Sequence, residues 1–88
     1  MQKKIAIINK LGLHARAAAK FVTLASSFES EIHLQKNQQK INGKSIMGVM
    51  MLAAAKDSQL TLFAEGPDEQ DAINALSSLI ENRFDENE

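Results

Sequence analysis

The sequence predicts an α+β domain with the element order β-α-β-β-α-β-α, a four-stranded antiparallel sheet covered on one face by three helices. Three observations predict it. Segments 31–36 and 59–65 alternate polar and apolar residues, as strands with one wet face do. The stretches from Ala15 and from Gly66 carry apolar residues at helical spacing, as helices with one buried face do. The chain has 88 residues, room for a single compact domain over 1–88 and no second one.

Taken in order, Lys3 to Ile8 is apolar and rich in β-branched residues, and reads as the first strand. Asn9-Lys10-Leu11-Gly12-Leu13 is a loop by its Asn and Gly. From Ala15 the chain turns alanine-rich, a strong helix preference, and Ala18, Phe21, Val22 and Ala25 form a core-facing stripe. Ser26 and Ser27 weaken that helix, and Phe28 is expected to pack beneath its end. Glu31 to Lys36 is the second strand, with Ile32 and Leu34 inward. Asn37-Gln38-Gln39 makes a tight turn into a short strand, Lys40-Ile41-Asn42, which Gly43 ends. Ser45 caps a short helix running to about Ala53. Gln59 to Glu65 is the fourth strand, with Leu60, Leu62 and Ala64 inward. Gly66-Pro67 opens the last helix, with Pro near the first helical position, where its missing N–H removes nothing. Ala72, Ile73, Leu76, Leu79 and Ile80 are its buried stripe. From Asp85 onward the chain is acidic and expected to form a loose tail.

Composition excludes several classes of function. Without cysteine there are no disulfides and no thiolate metal sites. The 10 basic and 11 acidic side chains are interspersed, and Tyr and Trp are absent, which argues against nucleic-acid binding. No stretch approaches the roughly 20 apolar residues that cross a bilayer, so no membrane insertion is expected. Lys3 and Lys4 with the short run after them fall short of a signal peptide. A cytoplasmic protein is the expectation. The histidines lack a local carboxylate pattern, so neither metal nor cofactor is expected. His33, between Ile32 and Leu34 on a strand, should face solvent.

His14 is different. It falls at the N-cap of the helix that begins at Ala15, a position that normally goes to Ser, Thr, Asp or Asn. The unpaired N–H groups of Ala15, Arg16 and Ala17 and the helix dipole favour an anion beside its ring. Arg16 in the first turn opposes the dipole, but its guanidinium suits a phosphoryl group. Gly12 lets the backbone approach closely, and Leu13 can staple onto Ala18. These residues alone leave open a plain surface histidine ahead of a helix. The short helix after Ser45 is apolar nearly all round. Ile46, Val49 and Met50 are expected in the core, and Met47 and Met51, with Gly48 between them, form a patch for partner docking.

The run Gly12-Leu13-His14-Ala15-Arg16 before an alanine-rich helix resembles the active-site motif of the HPr family, the histidine-containing phosphocarriers of the bacterial phosphotransferase system. Lys44-Ser45-Ile46-Met47-Gly48-Val49-Met50 resembles the regulatory-serine helix of that family, and the likeness spans essentially the whole chain. It implies an open-faced β-sandwich. It implies that His14 takes a phosphoryl group on Nδ1 from Enzyme I, charged by phosphoenolpyruvate, and passes it to IIA proteins. Arg16 would hold the phosphoryl oxygens, and Ser45 would be the target of an HPr kinase/phosphorylase where one exists. A monomer is expected. One departure stands out: the family usually has proline after the arginine, and here it is Ala17. The residues leave open the nitrogen-related branch, to which Asn9–Gly12 and Phe84–Glu86 have some likeness. A binding-only regulatory domain of the same fold is a rival against which the presence of His14 counts. A generic α/β domain that binds a small ligand is another, for which neither a Gly-rich phosphate loop nor a carboxylate pair is found.

Overall fold

A computed structural model describes residues 1–88. The elements are β1 (Gln2–Ala6), α1 (Ala15–Ser26), β2 (Glu31–Lys36), β3 (Gln39–Asn42), α2 (Ile46–Met51), β4 (Gln59–Glu65) and α3 (Glu69–Glu81), with a short 3₁₀ turn at Arg83–Asp85. The strands pair antiparallel in the order β1-β4-β2-β3. Alternation sets the register: Ile32 lies opposite Ala64, Leu34 opposite Leu62 and Ile5 opposite Leu60, so each pair buries its apolar side chains on one face. α1 and α3 cover that face with Ala17, Ala18, Phe21, Ala25, Ala72, Ile73, Leu76 and Ile80, all in one core. Val22, Phe28 and Leu79 pack at its margin. His33, on the outer face opposite Phe63 and Asn42, is half-buried.

The bounds of β2 and β4 are those the alternation predicts. Others differ. β1 starts at Gln2 and ends at Ala6. The hairpin to β3 turns on Asn37 and Gln38 alone, with Asn37 at φ 55°. α2 ends at Met51, two residues short of the expected Ala53. Pro67 does not open α3; it stands before the N-cap Asp68, and the helix starts at Glu69. The connection is pinned ahead of the helix, where Asp68 accepts from Glu29 N and Ser30 N, each at 2.9 Å.

Candidate functional site

The loop between β1 and α1 is held on two sides. Asn9 is fully buried and donates from Nδ2 to Gly12 O at 2.8 Å, closing the loop on itself. Leu13 N donates to Ala54 O at 2.9 Å, which fastens the loop to the segment after α2. Gly12 sits at φ 67°, and a Cβ there would stand 2.5 Å from Ala54 O, so any side chain would push the loop away. Leu13 and Ala18 are buried in the same core, which fixes the angle at which the chain enters α1.

His14 is the N-cap of α1, as the spacing predicts, with extended backbone and no side-chain cap bond. Its carbonyl accepts from Ala18 N at 2.8 Å, while the amides of Ala15, Arg16 and Ala17 have no protein partner. The ring is 27% exposed, and its Nε2 meets Glu86 Oε2. Glu86 Oε1 in turn accepts from Asn9 Nδ2 at 3.0 Å. Burial pushes the Glu86 carboxyl up, but the bonds from Asn9 and His14 and the charges of His14 and Lys20 outweigh it, so the group stays below the usual carboxylate range. An ionised carboxylate only accepts. In the neutral ring Nε2 therefore carries the proton, and Nδ1, which has no hydrogen bond with the protein, keeps its lone pair.

Glu86 belongs to the segment expected to be a loose acidic tail, and that expectation is wrong. Arg83, Phe84 and Asp85 all have positive φ (58°, 53° and 64°), and this turns the chain back after α3. Phe84 is fully buried, Lys20 Nζ donates to its carbonyl at 2.8 Å, and Lys10 N donates to Glu88 O at 3.0 Å. Residues 83–88 are thereby fixed beside the start of α1. The one signal in the sequence was Phe84, an aromatic side chain set in a polar stretch.

Arg16 is exposed and joins no ion pair. With Lys10, Leu11, His14 and Glu86 it lines one shallow depression. An anion there would meet a guanidinium, the unpaired amides of α1 and an imidazole with a free nitrogen, groups suited to holding a phosphoryl group beside a nucleophile.

Ser45 lies at the start of the other short helix, where its Oγ accepts from Gly48 N at 3.1 Å. Met47 and Met51 are 72% and 65% exposed, and Gly48 is half-buried. Ile46 and Met50, expected in the core, are also exposed, at 42% and 43%; only Val49 is buried. A helix of six residues presents too narrow a face to bury more. α2 therefore shows a continuous apolar surface while packing against α1, the helix that His14 caps.

The family model described as "PTS HPr component phosphorylation site" matches residues 1–82. The chain belongs to the HPr family. The phosphocarrier protein HPr of Cupriavidus necator is 54% identical over 88 residues, which is 100% of this chain and 99% of the relative. The crystal structure of HPr-C-His from Thermoanaerobacter tengcongensis superposes with a TM-score of 0.96 at 49% identity, covering 100% of this chain and 99% of that one. A crystal structure described as an HPr dimer from the same organism gives a TM-score of 0.80 at 52% identity, over 93% and 94% of the two chains. As a member of the HPr family the chain is a phosphoryl carrier of the phosphotransferase system, working with partner proteins of that system. The sheet and its three helices are those of HPr. No helix is long and apolar enough to cross a membrane.

Proposed function

We propose that His14 is the phosphoryl acceptor, taking the group on Nδ1 from Enzyme I and passing it to a histidine of IIA proteins. The single observation that carries this reading is the ring at the start of α1: Nε2 is engaged by Glu86, Nδ1 is free, and unpaired backbone amides lie beside it. Arg16, which shares the depression with His14, holds the transferred oxygens by a charge-assisted fork. The exposed face of α2, with Met47, Gly48 and Met51, is the docking surface for donor and acceptors in turn. It works as one domain over residues 1–88, as a monomer that keeps this face open, in the cytoplasm. We place it with the general HPr proteins and not with the nitrogen-related branch, in keeping with the name of the C. necator relative.

Ser45 is a second, regulatory site for an HPr kinase/phosphorylase. A phosphate there adds a charge of about −2 at the edge of the α2 patch. The helix start accommodates that charge, so the fold survives while docking weakens.

The deciding experiment incubates the protein and His14→Ala with purified Enzyme I and labelled phosphoenolpyruvate. Acid-labile, base-stable label should appear on the parent and be absent from the variant. Equal labelling of both would remove His14 from the mechanism.

A further inference from the structure

Asn9 is an unusual choice for a buried position. It is fully enclosed, yet its Oδ1 has no hydrogen-bond partner, and an unpaired buried acceptor is destabilising. What it offers is Nδ2, which donates to Gly12 O at 2.8 Å and to Glu86 Oε1 at 3.0 Å. Glu86 is thus held by a side chain from the loop that precedes His14, and its second oxygen is turned onto the ring. The other acidic side chains of the tail face elsewhere: Asp85 lies 3.9 Å from Lys20 and Glu88 lies 3.4 Å from Lys10. Only Glu86 meets the imidazole, and the buried Phe84 anchors the segment that carries it.

We infer that Glu86 is a positioning residue for phosphoryl transfer, its carboxylate keeping the proton on His14 Nε2 so that Nδ1 is the nitrogen that attacks and later releases phosphorus. The inference rests on the reading of His14 as the phosphoryl acceptor. In the charging step the Nδ1 lone pair forms a bond to phosphorus as the bond between phosphorus and the phosphorylated donor protein breaks, its electron pair leaving with the donor. The ring then carries a positive charge, its proton still on Nε2, and the Glu86 carboxylate lies against it. In the discharging step a nucleophile of the acceptor protein attacks phosphorus, the Nδ1–P pair returns to the ring, and neutral imidazole departs. No proton joins or leaves the ring in either step. Without the carboxylate the ring also samples the tautomer with its proton on Nδ1, which cannot attack.

The test compares the parent with Glu86→Ala, which lacks an acceptor, and Glu86→Gln, whose carbonyl can still accept but carries no charge. The first readout needs no phosphorylation: long-range proton–nitrogen spectra of His14 report its tautomer directly. The parent should show one tautomer with a slowly exchanging Nε2 proton, Glu86→Ala a mixture with fast exchange, and Glu86→Gln an intermediate state. The second readout is the initial rate of label transfer from phosphorylated Enzyme I. It should fall about tenfold in Glu86→Ala, the size expected for losing the partner that orients a reactive imidazole, and recover in part in Glu86→Gln. Identical spectra in parent and Glu86→Ala would overturn the inference, and so would a rate loss without a change of tautomer. A parent that shows the single tautomer but takes up no label would uphold the ring-holding role and overturn the carrier reading instead.

Discussion

At the start of α2 the hydroxyl of Ser45 accepts from Gly48 N at 3.1 Å, whereas at the start of α1 the side chain of His14 takes nothing from the helix and turns to Glu86. A cap bond of the Ser45 kind stabilises a helix by about 1 kcal/mol. α1 does without it because its twelve residues bury Ala17, Ala18, Phe21 and Ala25, and that packing holds the helix wherever the first turn leads. α2, with six residues and one buried side chain, has no such reserve, and Ser45 bonds one amide of its start. The lesson is about where openness can be tolerated. All three first-turn amides are left unpaired at the helix whose stability comes from elsewhere, and the reactive ring stands at that start.

The comparison breaks first if the open start of α1 holds no anion. Arg16→Ala removes the guanidinium from the depression while leaving the amides of Ala15 and Ala17 in place. Transfer from Enzyme I should slow by about 10²-fold, the effect of removing one preorganised donor to developing phosphoryl charge. Since Arg16 joins no ion pair, its thermal midpoint should barely move. A transfer rate within twofold of the parent, measured as initial label uptake, would mean that the side chain serves the surface only.

Ser45 sharpens the contrast from the closed side. Ser45→Asp keeps an N-cap acceptor, so it should unfold in urea at nearly the parent midpoint, but its charge beside the α2 patch should slow phosphoryl uptake about tenfold. Ser45→Ala reverses the pattern, costing about 1 kcal/mol of stability with no change in transfer. If Ser45→Asp transferred at the parent rate, the start of α2 would have no part in docking.

How much of this was legible in the sequence follows the range over which each feature is decided. The alternation of β2 and β4 is written in neighbouring residues, and their bounds follow from it. The stripe of α1 was legible in part: Ala18, Phe21 and Ala25 are buried, while Val22 lies at the margin and the buried Ala17 was not expected. The N-cap position of His14 was legible, because a helix start is a local pattern. Ile46 and Met50 were misread because periodicity reports a face and not how much partner surface covers it. The tail was misread for a deeper reason. Glu86 meets Asn9 across 77 residues of chain, and nothing in the composition of an acidic end announces that three consecutive positive-φ residues will fold it back. Half of the candidate site was therefore local and visible, and the half that orients the ring was not.

A third helix start extends the comparison to acid. Asp68 is the N-cap of α3 but gives that helix no side-chain bond; its carboxylate accepts from the Ser30 hydroxyl and from the amides of Glu29 and Ser30. These bonds, the Ser30 hydroxyl foremost, hold its carboxyl below the usual range, and Glu86 is shifted the same way. A carboxyl whose folded value lies below its unfolded one contributes stability above the unfolded value and loses it as pH falls through the folded one. Urea unfolding midpoints should therefore drop below about pH 4. Asp68→Asn should be less stable than the parent at pH 7 and lose less on acidification. Equal pH profiles for the two proteins would show that the Asp68 contacts contribute nothing to folding.

The smallest effect expected is at Ala17, where the resemblance leads one to look for proline. The amide of Ala17 has no protein partner, so Ala17→Pro breaks no internal hydrogen bond, and proline is tolerated in a first helical turn. Two terms oppose the change. Proline disfavours helical backbone at the preceding Arg16, and its ring must fit where Ala17 is fully buried. It also deletes one of the amides offered to the anion at the open start. Against these stands the lower entropy of the unfolded chain, which favours the variant by about 0.4–1 kcal/mol where the backbone already fits. The folding terms nearly cancel, and the loss of one amide among several groups at the start of α1 should leave transfer within about tenfold, at most 1.4 kcal/mol on the barrier. Initial rates and a thermal melt together separate the possibilities. A large fall in rate with an unchanged melt would assign the Ala17 amide to the phosphoryl group, making the open start of α1 more specific than the contrast with α2 requires. A fall in both would mean that the turn cannot take the ring.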